Sequence, residues 1–136
     1  LAASYVYANN YEKAIELLQD VDLPEARYNL GLIKAKKRYL NEAYELLRPF
    51  ADLNSAIVAL SINKNVEAKS ILSILKDTRP VAEYARSLTA ARLYEDAVFY
   101  EHIANACNDM KLRERAVSEP DFHRFHADES FRTLIK

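Results

Sequence analysis

The chain has 136 residues, half of them hydrophobic, with 19 Lys and Arg against 20 Asp and Glu and a formal net charge of −1. That length fits one domain with a sizeable core, and the near-balanced charge excludes the basic excess on which binding to a nucleic-acid backbone depends. One Gly, four Pro and one Cys point to an all-α chain without an internal disulfide, and no apolar run is long enough to span a membrane.

In chain order, the opening "LAASYVYANN" already has a helical pattern and no initiator Met, so it is expected to be the cut edge of a longer protein. "YEKAIELL" at 11–18, "LNEAYELL" at 40–47, "NVEAKSIL" at 65–72 and "YEDAVFYE" at 94–101 then align on Ala14, Ala43, Ala68 and Ala97, spaced by 29, 25 and 29 residues. Twelve residues before each alanine stands a small residue: Ala2, Gly31, Ala56 and Ala85. A fixed interval inside each unit and a variable one between units predicts rigid helical hairpins on adjustable links. Gly31, costing about 1 kcal/mol in a helix interior, is expected to face Ala43 and let the two helices approach. The predicted turns are 9–10, 37–39, 63–65 and 92–94, with Tyr11, Tyr39 and Tyr94 packed at equivalent places. Pro24 and Pro80 suit first helical turns, Pro49 a helix end, and Pro120 the start of a short terminal helix. The cationic run "KAKKRY" at 34–39 suits the negative end of a helix.

"YNLG" at 28–31 with "YEKA" and "LNEA" resembles the tetratricopeptide repeat, over roughly residues 2–107. The stretch from "YNLGLIKAKKRYLNEAYELL" to "EYARSLTAARLYED", with the ending "SEPDFHRFHADESFRTLI", looks like tetratricopeptide lipoproteins of Bacteroidetes. The resemblance implies a right-handed superhelix of antiparallel helical hairpins, an α-solenoid, with repeats at about 1–21, 24–48, 52–76 and 80–107 and a C-terminal helical cap at 109–136. It also implies a cell-envelope setting, in the periplasm or anchored to the outer membrane, a cytoplasmic one being the alternative.

Stacked hairpins present a concave surface lined by their first helices, suited to an extended peptide or a helix. Taking Gly31 as the inner point, the outward row is Tyr28, Leu32 and Ala35, flanked by Lys36, with Val6 and Tyr7, then Leu53, Ile57 and Leu60, then Ala82, Arg86 and Thr89 at corresponding positions, of which Tyr7, Tyr28, Leu32, Lys36, Ile57, Arg86 and Thr89 are the expected partner-binding residues. An apolar guest with some acidic character is expected. Asn29 matches one member of the chaperone-type carboxylate clamp, but Leu32 and Ala3 replace others, so no such clamp is expected.

Signals for chemistry are sparse. His123 and His126 are three residues apart, a spacing open to a metal pair, but Phe122 and Phe125 beside them favour packing. His102 and Cys107 fall on different helix faces, and no Gly-rich phosphate loop is possible with one Gly. Phe122, Phe125, Phe131, Leu134 and Ile135 are expected to fold back on the helix 95–107. The expected function is a non-catalytic scaffold that binds a protein or peptide, with no cofactor, metal, nucleic acid or membrane span. The alternative is a structural spacer or a module that self-associates through an uncapped N-terminal end.

Overall fold

The computed structural model describes residues 10–136, and among them every regular element is helical, with no strand. The expectations for Ala2, Ala3, Val6 and Tyr7 lie outside the described residues. The α-helices are α1 (Tyr11–Leu18), α2 (Pro24–Lys36), α3 (Leu40–Leu47), α4 (Leu53–Ser61), α5 (Asn65–Ile74), α6 (Pro80–Arg92), α7 (Asp96–Ala106), α8 (Met110–Ser118) and α9 (Glu129–Leu134). Two 3-10 helices, Arg48–Phe50 and Pro120–Ala127, interrupt the series.

Local chemistry sets the ends. Asn10 and Asp109 cap α1 and α8 by accepting from the backbone N–H of Lys13 and Leu112. Asp52 opens α4 with a reciprocal cap: it accepts from Ser55 N at 3.0 Å while its own N–H donates to Ser55 Oγ at 2.8 Å. Pro24, Pro80 and Pro120 stand in first turns, where a missing N–H costs nothing.

Three helix-to-helix turns share one construction. Arg38, Asn63 and Tyr94 adopt left-handed φ angles of 67°, 61° and 58°. In each turn the following N–H reaches back to a carbonyl five residues earlier: Tyr39 to Lys34, Lys64 to Ala59 and Glu95 to Ala90. The left-handed residue itself donates to a carbonyl three residues back, which completes a Schellman motif. No glycine is used, although each such step costs an L side chain about 1–2 kcal/mol.

These turns fix the internal register. Ala43 and Ala68 lie five residues after the left-handed position, but in the last hairpin that place belongs to Phe99, not Ala97. Seven residues before it stand Gly31, Ala56 and Ser87. The expected pairing of Ala85 with Ala97 is therefore shifted by two residues. Ala97 is exposed, whereas Phe99 and Ser87 are fully enclosed. The shift has a simple cause: the turn bonds form at Tyr94, so "YEDA" begins two residues before its look-alikes. Tyr39 and Tyr94 are exposed rather than packed, 48% and 78% respectively, because one caps a helix and the other forms the left-handed step.

The described chain divides into two compact units, one ending at Lys64 and the other beginning at Asn65, inside the stretch expected to be the third repeat. In the first unit, α1 packs on α2, α2 on α3 and α3 on α4. Ala14, Leu18, Ala26, Leu30 and Ile33 form a core flanked by Tyr11, Ile15 and Leu46. Gly31 does sit where α3 crosses. A Cβ there would lie 2.7 Å from Leu47 Cγ and 3.2 Å from Leu46 Cβ, so the close approach is to two leucines beyond Ala43.

In the second unit, α6 packs on α5 and most extensively on α7. Phe99 of α7 stacks face to face on Phe125 with centroids 3.8 Å apart, and meets Phe122 at 4.9 Å and Phe131 at 5.7 Å. All four rings are enclosed. Polar ties surround them: Arg92 to Asp121 at 3.0 Å, Arg124 to Asp96 at 2.6 Å, and the Tyr100 hydroxyl to Asp128. Burial, followed by that hydrogen bond, pushes the Tyr100 hydroxyl up to about 12.

Candidate functional site

Part of the row expected to face a partner is engaged within the chain. Tyr28 packs edge-on against Phe50 at 4.8 Å, donates to Asp52 Oδ2 at 2.5 Å and accepts from Asn54 Nδ2 at 2.8 Å. Burial first, then the Asp52 bond, raises its hydroxyl pKa. Tyr28 thus fastens α2 to the start of α4. Leu32 is half-buried, and Lys36 and Ile57 are exposed. Tyr28 stands ten residues before the left-handed Arg38, and in the second unit the residue ten before Tyr94 is Tyr84, which also reaches an acidic capping residue, Glu119, at 3.3 Å and packs on an aromatic ring, Phe122. Burial raises the Tyr84 hydroxyl well above its ordinary value, with the Glu119 charge adding to it.

Because of the two-residue shift, Arg86 and Thr89 leave that row. They face a cleft of about 400 Å³ bounded by α5, α6, the 75–79 loop and α7. Leu72, Leu75, Ala90 and Val98 supply its apolar surface. Lys69, Ser73, Lys76 and Glu95 edge it, and Glu83, Arg86 and His102 form its polar wall.

That wall is closely wired. Glu83 has a side chain only 6% exposed, and its two oxygens divide between two partners. Oε1 accepts from Arg86 Nη1 at 2.7 Å, and Oε2 lies 2.7 Å from His102 Nδ1. A buried carboxylate needs such partners. Arg86 also donates to the carbonyls of Leu75 at 2.9 Å and Asp77 at 2.5 Å, and to that of Leu72 at 3.4 Å. Its guanidinium therefore closes the carbonyl end of α5, where a cation is favoured. Thr89 is nearly enclosed and donates to Ala85 O of its own helix at 2.7 Å.

The loop next to the cleft is held by Asp77. It accepts from Arg79 N at 2.9 Å, and its carboxylate takes Arg79 Nε and Nη2 at 3.0 and 2.6 Å. The Arg79 side-chain bonds, then its backbone N–H, hold the Asp77 carboxyl at about 2. At the cleft rim Lys69 pairs with Glu95 at 2.7 Å, tying α5 to the start of α7.

The other singled-out residues fall elsewhere. Cys107 is enclosed beyond the end of α7, and burial raises its thiol pKa against the opposing charge of Arg113, which disfavours the thiolate. His123 and His126 lie 5.9 Å apart, with His126 edge-on to Phe131. Among the described residues, no group of three or more His, Cys, Asp and Glu is placed to share a metal ion. No described helix is long and apolar enough to cross a membrane.

Sequence reasoning found Arg86 and Thr89 but missed Glu83, Lys69, Lys76 and His102 as their companions. Glu83 and Arg86 stand three apart on a helix, a legible pair. His102 joins them only because α7 turns back along α6. No family model, curated protein or solved structure matches the chain.

Proposed function

We propose that the chain is a non-catalytic interaction module, built as a tetratricopeptide-like superhelix of hairpins, that docks a peptide or helix of a protein partner. The observation that carries this reading is the cleft between α5 and α7: an open concavity with apolar surface and a few convergent polar groups, as recognition sites have. The shared turn construction at Arg38, Asn63 and Tyr94 supports a repeating array. The enclosed, raised Cys107 thiol and the structural engagement of Arg86 support recognition over reaction. A cell-envelope setting belongs to the same proposal, and fractionation of the native cell tests it.

A photo-cross-linking side chain at Val98, inside the cleft, should capture one protein reproducibly in the native cell, and the same group at the exposed Glu114 should not. Equal capture at both positions, or none at Val98, refutes the docking site. Val66 and Ile74, 61% and 70% exposed on α5, favour self-association as the second reading. It gains support if the captured protein is a second copy of this chain.

A further inference from the structure

The charges of the cleft do not cancel, and the remainder indicates the guest. Three cations line it, Lys69, Lys76 and Arg86, against two carboxylates, Glu83 and Glu95. Lys69 is matched by Glu95 and Arg86 by Glu83, each at 2.7 Å. Lys76 is exposed and has no ion pair or hydrogen bond among the described residues. His102 adds a second group, engaged through one ring nitrogen only: its Nδ1 faces the Glu83 carboxylate, which fixes the proton on that nitrogen, and Nε2 is the remaining nitrogen of a ring that lines the cleft. Beside these two groups lie Leu72, Leu75 and Val98.

We infer that the cleft receives an acidic side chain carried next to an apolar one on a peptide, the carboxylate meeting Lys76 and the Nε2 edge of a protonated His102 while the apolar side chain covers Leu72 and Val98. This rests on the docking reading above and names its chemistry. A carboxylate at Nε2 requires the imidazolium, because the neutral ring with its proton on Nδ1 offers only a lone pair there. Binding therefore favours the charged ring, and affinity is greater at lower pH. The other charged groups facing His102 are Glu83 and Arg86 from α6, Lys69 from α5, Lys76 from the 75–79 loop, Glu95 at the start of α7 and, behind Arg86, Asp77. None of these side-chain types ordinarily changes charge between pH 5.5 and 8, so the histidine sets the sign.

The test is an amide NMR titration of the full chain with N-acetyl-leucyl-glutamate amide and its glutamine counterpart at millimolar concentration. The glutamate probe should shift amides of Ser73–Thr78 and His102, and bind about tenfold more tightly than the neutral probe. Its affinity should increase from pH 8 to pH 5.5, and Lys76→Ala, at an exposed position, should weaken it at least threefold. Equal binding of the two probes, tighter binding at pH 8, shifts confined to other regions, or no shifts at all would overturn the inference. Cross-linking at Val98 that persists alongside such a failure would show that the cleft docks a partner of different chemistry. Loss of both would remove the docking reading itself.

Discussion

Arg38 and Tyr94 occupy the same left-handed step in two hairpins, yet five residues later one carries Ala43 and the other Phe99. The α2–α3 hairpin keeps small residues at the crossing and fills its interior with Leu30, Ile33 and Leu47 from the two helices themselves. The α6–α7 hairpin places a large ring in the alanine position, and three further rings from the C-terminal segment enclose it. One turn geometry thus accommodates two ways of filling a core. A close-packed pair suffices where the side chains are small, and a recruited segment is needed where one is large.

The sharpest way to break this comparison is Phe99→Ala. Removing an enclosed ring from among Phe122, Phe125 and Phe131 should cost about 3–5 kcal/mol in chemical denaturation. Hydrogen exchange should rise across residues 119–134 while the α2–α3 hairpin keeps its protection. Unchanged exchange in the C-terminal segment would show that Phe99 does not hold it.

Next in size is Gly31→Ala. The methyl gains about 1 kcal/mol in helix propensity, but it would lie 2.7 Å from Leu47 Cγ as well as from its terminal Cδ2, so the leucine must shift at its branch point, and overpacking costs about 1–3 kcal/mol. A net loss near 1 kcal/mol is expected in thermal or urea unfolding. A gain would mean that the two helices separate without penalty.

Smaller effects test the shared turn. Arg38→Gly should stabilise by about 0.5–1 kcal/mol by relieving the left-handed backbone. Asn63→Gly should gain only a few tenths, since Asn tolerates that region. Tyr94→Gly should gain little, because the ring also receives Arg124 at 4.7 Å. Three equal gains would show that side-chain contacts at these turns contribute nothing.

The smallest effect is a pH dependence of the 75–79 loop. Asp77 titrates at about 2 in the folded chain, below its ordinary 3.8, so the unfolded chain binds its proton more tightly. The stability contributed by this group is present above pH 4 and is lost as the pH falls toward 2. The stability difference between the wild type and Asp77→Asn should shrink across that window. A difference that grows on acidification would contradict the Arg79 pairing.

The sequence by itself determined that this chain is helical and roughly where it bends. Abundant helix formers, caps such as Asp52 and Asp109, and prolines in first turns act over a few residues, and the repeated small residues mark helix crossings. It misplaced the last hairpin because "YEDA" looks like "YEKA", and local likeness carries no information about which residue takes the left-handed turn. Only the tertiary structure decided that register, and with it the identity of the cleft. Glu83, Arg86 and His102 meet there because α7 returns along α6, and a contact between residues far apart in the chain depends on how the helices pack rather than on any pattern within one of them.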